Sequence, residues 1–211
     1  MVVYSLKCLL HRPNCVLDRR KNVAGILVIG GFGATQSVEF WSASDQGPGL
    51  SCVLNDYPRE IWPTVNLVSG RLVACYNDTC EMYKEGSWEY LQNTTVSRYY
   101  HSSVTREDAI LLIGGFQSPK TTEWIPVNGS AAQQEPFLVR HGQAHCTIRI
   151  SDDLIVVTGG DNARYWVTQY QLPDGTETPL RSMGTPRWQH ACGVYRDADN
   201  QQVSILFCRI A

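Results

Sequence analysis

Eight cysteines and five histidines in 211 residues are the side chains with the most chemistry to offer. Thiolates and imidazoles ligate zinc and copper, and both serve as nucleophiles or general bases. Spacing decides among these uses. No Cys-x-x-Cys pairs with a second cluster, so no metal site is expected. His101, His145 and His190 recur at matched places, each just ahead of an apolar stretch. A residue repeated with the period of the chain is better explained by the repeat than by one site, so these histidines are expected to make structural hydrogen bonds. No Gly-x-Ser-x-Gly elbow occurs, and Gly30-Gly31-Phe32-Gly33 lacks the Lys-Ser/Thr and the helix of a phosphate loop. Glu107-Asp108 and Asp152-Asp153 read as solvated charges in turns. No catalytic residue emerges, and the chain is expected to be neither an enzyme nor a cofactor carrier.

The cysteines read better as cross-links. Cys75 and Cys80 bracket Tyr76 to Thr79, a stretch that reads as the turn between two adjacent strands. A hairpin brings such positions within disulfide reach. Cys146 and Cys192 follow histidines of successive repeats by one and two residues, which puts them on neighbouring equivalent strands. The alternative for both pairs is a buried thiol that packs as a small apolar group. Cys8, Cys15, Cys52 and Cys208 have no partner that spacing identifies. Three glycosylation sequons begin at Asn77, Asn93 and Asn128. Cysteine usage and sequons together point to an oxidising, extracellular compartment. Against this, Met1 to Leu10 is followed by His11, Arg12 and Pro13 and makes a poor signal peptide, so a cytosolic location stays open.

The elements that position these residues are repeated strands. Ile26-Leu27-Val28-Ile29-Gly30-Gly31, Ile110-Leu111-Leu112-Ile113-Gly114-Gly115 and Ile155-Val156-Val157-Thr158-Gly159-Gly160 share an apolar run ending in a glycine pair. A degenerate copy runs from Gly70 to Tyr76, and Ser204 to Phe207 is a further apolar run. Gly30, Cys75, Gly114 and Gly159 lie 45, 39 and 45 residues apart, the size of one propeller blade. Ahead of the runs stand Arg98-Tyr99-Tyr100-His101 and Arg187-Trp188-Gln189-His190, with a looser His141-Gly142-Gln143-Ala144-His145 between them. After the glycines come polar turns and strands such as Thr122-Glu123-Trp124 and Val167-Thr168-Gln169-Tyr170. Short runs of β-formers bounded by Gly, Pro, Asn and Asp predict strands buried on both faces, and no 3.6-residue stripe predicts a helix.

With these marks the chain resembles the kelch-repeat family, most closely its extracellular invertebrate members, in which a cysteine replaces one glycine pair. Here that feature is Cys75-x-x-x-x-Cys80. The resemblance implies an all-β, kelch-type β-propeller over 23–211, with 1–22 unassigned. Four-stranded blades are expected near 26–62, 63–97, 98–140 and 141–186, with a partial blade over 187–211. Kelch propellers close with more blades than these, so the chain is expected to be an incomplete propeller, closed by further sequence or by self-association. The family also contains copper-binding galactose oxidases and the substrate-recognition arms of intracellular ubiquitin-ligase adaptors; these are the alternatives to a non-catalytic binding scaffold.

Composition narrows the partner. At 43% apolar the chain can bury a core, and a formal charge of −2 leaves no broad basic field for nucleic acid. No apolar run approaches the ~20 residues of a membrane span. A protein ligand is expected, with a glycan as the other option. In a propeller the loops of successive blades converge on one rim, so the loops after the glycine pairs are the candidate binding residues: Phe116, Lys120, Arg164 and Tyr165. Arg98 and Arg187, at recurring positions beside aromatics, either join that rim or tie neighbouring blades together.

Overall fold

The computed structural model describes residues 63–84, 87–135 and 140–190 in full, together with Cys192 and Gly193, and elsewhere the backbone of paired strands. All regular structure among the described residues is β, and every pairing for which a register is defined is antiparallel. The chain forms two compact units, Met1–Leu91 and Gln92–Ala211.

In the first unit, β1 (Val2–Tyr4), β4 (Gly25–Ile29), β5 (Val38–Ser44) and β6 (Gly47–Val53) make one four-stranded sheet. Residues 2–4 thus pair directly with the first apolar run, Val3 opposite Ile26. Between β1 and β4, β2 (Leu9–His11) and β3 (Val16–Asp18) pair with each other. A second sheet holds β7 (Thr64–Val68), β8 (Arg71–Lys84) and β9 (Ser87–Arg98), the last of which crosses the boundary between units. Within β8 the chain doubles back. The Cα atoms of Cys75 and Cys80 are 4.1 Å apart, where five residues of extended strand would span roughly 16 Å. Asn77, at φ 54°, makes the reversal. Asparagine is among the few side chains that tolerate this left-handed region. The glycine pair at Gly30-Gly31 lies outside the described residues.

The second unit repeats one plan. β10 (Ser102–Arg106), β11 (Ala109–Ile113), β12 (Thr122–Pro126) and β13 (Gln133–Glu135) form one meander in sequence order. β14 (Cys146–Ser151), β15 (Leu154–Thr158), β16 (Val167–Gln171) and β17 (Thr176–Pro179) form the next. β18 (His190–Arg196) and β19 (Val203–Arg209) begin a third. The apolar runs are the second strands, as their continuous hydrophobicity demands: Ile110 through Ile113 are all fully buried. Leu111 and Ile113 share a core with Ile155, Val157 and Tyr170 of the next sheet, while Val156 on the opposite face packs with Ile148, Val167 and Met183. Each side chain of this kind contributes about 1.5–3 kcal/mol when removed from water. Successive sheets therefore share one hydrophobic layer. The meander also sorts its connections: glycine-pair loops lie at one end of the strands, and the 107–108, 152–153 and 172–175 turns at the other.

Candidate binding face

The glycine-pair end is built on a backbone joint made twice in the same way. Gly115 N–H donates to Gly142 O at 3.0 Å, and Gly160 N–H donates to Arg187 O at 3.0 Å. At both positions φ is left-handed, 106° and 104°. A Cβ on Gly115 would fall 2.8 Å from Tyr99 O, and one on Gly160 would fall 2.4 Å from His141 O. Only glycine lets the strand end lie this close to the segment preceding the first strand. A second ladder runs beside it: Gln189 N–H donates to Ala144 O at 2.7 Å and Ala144 N–H donates to Tyr100 O at 2.8 Å. Tyr100, Ala144 and Gln189 all have φ near +50°. These residues hold successive sheets in register through the main chain.

The side chains that brace the joint differ between sheets. Arg98 is completely buried, with Nη2 3.2 Å from Glu123 Oε2 and Nη1 donating to Gly114 O at 3.1 Å and Thr121 O at 2.9 Å. Thr95 N–H donates to the other carboxylate oxygen of Glu123. In the next sheet His141 takes the place of Arg98. Its Nδ1–H donates to Gly159 O at 2.7 Å, and its Nε2 lies 2.9 Å from the Thr168 hydroxyl. Thr168 occupies the register position of Glu123, second in its strand. Burial holds the His141 imidazole below its usual pKa, so the ring is neutral and Nε2 accepts from Thr168.

His101, His145 and His190 stand at the start of the three first strands, all buried. His101 Nδ1 is 3.2 Å from Arg98 O, and His190 Nε2 is 2.9 Å from the Thr158 hydroxyl of the preceding sheet. Burial, reinforced by Arg98, lowers His101 to about 4. Burial, reinforced by His141, His101 and His190, lowers His145 to about 3. His190 falls to about 4 through burial and the nearby Arg187. They act as neutral packing groups. Both cysteine pairs are disulfides, Cys75–Cys80 within β8 and Cys146–Cys192 between β14 and β18. The side chains of Cys8, Cys15, Cys52 and Cys208 lie outside the described residues. Asn93 is exposed on β9, Asn77 is half-buried, and Asn128 is exposed in the β12–β13 turn, where its side-chain oxygen accepts from Ser130 N–H at 3.0 Å.

Of the six residues expected to bind, four are exposed at this end: Phe116 and Lys120 after β11, and Arg164 and Tyr165 after β15. Arg187 is half-buried, and its backbone ties to both Gly160 N–H and Arg164 O. Arg98 faces Glu123 and two carbonyls, not solvent, so it is a tie between strands. The Arg164 guanidinium lies 5.1 Å from the centre of the Trp188 ring. Sequence reasoning passed over Tyr100, Trp166 and Trp188, which are 41, 48 and 52% exposed. Two of them lie inside the Arg-x-x-His tracts, where an aromatic residue follows the arginine both times, and that recurrence was the available signal. Among the described residues no three His, Cys, Asp or Glu side chains gather to hold a metal ion, and no helix is long and apolar enough to cross a membrane. Comparison with protein-family models finds no match to this chain, and comparison with curated proteins finds none either.

Proposed function

We propose that this chain is built of kelch-type β-propeller repeats and works as a non-catalytic, extracellular scaffold for binding another protein. The observation that carries the reading is the exposure of Phe116, Tyr165, Trp166 and Trp188 on loops anchored by a repeated backbone joint. Large rings held on a rigid frame contribute contact area at little conformational cost, and Trp, Tyr and Arg dominate protein interfaces. The repeated meanders, their shared hydrophobic layer and the glycine-pair period support the propeller reading. Two disulfides support an oxidising compartment over the cytosol of a ubiquitin-ligase adaptor. The histidines' burial at equivalent strand starts, with His101 and His190 engaged to neighbouring backbone or hydroxyl groups, supports structure over copper oxidation.

The test is the intact mass of protein secreted from a eukaryotic host, alkylated with and without reduction, together with its copper content and its turnover of simple sugars. Two or more disulfides, glycan on at least one sequon, and neither copper nor turnover are expected. Stoichiometric copper with sugar oxidation would sink the scaffold reading. Eight free thiols and no glycan would sink the extracellular one.

A further inference from the structure

Charge in the second unit is sorted by end. Its described residues include eight Lys and Arg side chains. Four are ion-paired: Arg98 with Glu123, Arg106 with Asp153, Arg140 with Glu177 and Arg149 with Asp152. The other four, Lys120, Arg164, Arg181 and Arg187, have no carboxylate partner among the described residues. All four lie in the loops at the glycine-pair end. The 181–187 segment belongs there because Met183 N–H donates to Tyr165 O at 2.8 Å and Arg187 N–H donates to Arg164 O at 2.7 Å. Among the described residues, the acids at this end besides the buried Glu123 are Glu135, opposite Thr122, and Asp161, whose carboxylate already accepts from Gln143 at 3.1 and 2.9 Å. At the opposite end Glu107, Asp108, Asp152, Asp153 and Asp174 are exposed and no exposed large ring accompanies them.

Resting on the scaffold reading above, we propose that the glycine-pair end docks a segment of a partner protein in which carboxylates alternate with apolar side chains. The Arg164 guanidinium carbon lies 5.1 Å from the centre of the Trp188 ring, and a guanidinium held there can still grip a carboxylate with two parallel bonds. The rings on either side present apolar surface between the cations. A dense polyanion would have to lay charge across those rings. An acidic, partly apolar peptide matches both kinds of group. Unpaired cations raise the local potential over a Debye length of about 10 Å and speed the encounter with such a partner.

The test uses the whole chain and fluorescein-labelled peptides in which Glu and Asp alternate with Leu, Tyr and Pro, against matched Gln and Asn peptides, read by anisotropy. The acidic peptides should bind at least about tenfold more tightly, and raising NaCl from about 50 to about 300 mM should weaken them severalfold. Arg164→Glu should weaken binding at least about tenfold and Trp188→Ala about fivefold, each with wild-type melting temperature. Arg164→Gln and Lys120→Glu repeat the test at exposed positions if the first variants unfold. Glu107→Lys, at the other end, should leave affinity within about twofold. Absence of acidic-peptide binding, or binding that ignores Arg164 and Lys120, overturns the proposal. So does preference for heparin at the same residues, or self-association that Arg164→Glu abolishes, since the occupant would then be a polysaccharide or a second copy. Failure here in a copper-free, non-catalytic protein would leave the scaffold reading standing.

Discussion

The two complete sheets of the second unit make the same joint with different side chains. At the first, a buried ion pair, Arg98–Glu123, braces the glycine-pair strand; at the second, neutral His141 and Thr168 stand in the same positions. Contacts between sheets diverge in parallel. Ser102 and Thr147, one and two residues after their histidines, share a hydroxyl hydrogen bond of 2.5 Å. Cys146 and Cys192, again one and two residues after theirs, share a disulfide. The backbone ladder through Gly115 and Gly160 is common to both. The repeat therefore conserves main-chain geometry and leaves the side-chain fastening interchangeable, with consequences that differ in size.

The largest difference is expected at the braces. Removing the charge from one partner with Glu123→Gln strands the buried Arg98 and should cost about 3–5 kcal/mol. His141→Ala loses two neutral hydrogen bonds and should cost about 1–3 kcal/mol. Urea unfolding of both variants measures the gap; equal losses would mean that the ion pair is no more than a hydrogen-bonded brace. Next come the fasteners. Cys146 and Cys192 are 46 residues apart, so their cross-link limits the unfolded chain by up to about 4 kcal/mol. Cys146→Ser with Cys192→Thr would rebuild the Ser102–Thr147 pair at the second junction. That double variant should fold, lose about 2–3 kcal/mol, and remain about 1 kcal/mol more stable than the double alanine. If the two double variants melt together, the junctions are not equivalent.

The shared ladder is tested by Gly115→Ala against Gly129→Ala. Both glycines have left-handed φ, but an added Cβ at Gly129 meets nothing within 4 Å, whereas at Gly115 it meets Tyr99 O. Losses of about 2–3 and about 1 kcal/mol respectively are expected in denaturant titrations. Acid acts gradually rather than in one step. His101 and His145 have folded values near 4 and 3, below the ordinary 6.5. Their unfolded forms take up protons first as the pH drops, so the stability they confer is complete above pH 6.5. It declines from there toward pH 4 for His101 and pH 3 for His145, by at most about 1.4 kcal/mol per pH unit for each ring. Stability that stays flat from pH 7.5 to 5 would show that the rings are open to water.

Much of this was legible. The apolar runs declared themselves as doubly buried strands because they lack alternation; a bracketed turn offered Cys75–Cys80 and repeat equivalence offered Cys146–Cys192, each against a buried-thiol alternative that the structure removes. The glycine pairs announced a close approach but not its object. Arg98 read equally well as rim or tie, because its partner Glu123 is 25 residues away on the third strand of the sheet and no local pattern links them. Trp188 and Trp166 were hidden for the reverse reason, since aromatic residues beside strands are ordinarily core.

By itself, then, the sequence determined the strand content and the repeat, which follow from periodicity and from hydrophobic runs of fixed length, and it offered two cysteine pairs that the fold closed. Tertiary structure alone decided which cations are neutralised and which face solvent. Ion pairing depends on separations of a few ångströms between residues distant in the chain, and only the stacking of successive meanders gathers Lys120, Arg164, Arg181 and Arg187 at one end and the exposed acids at the other.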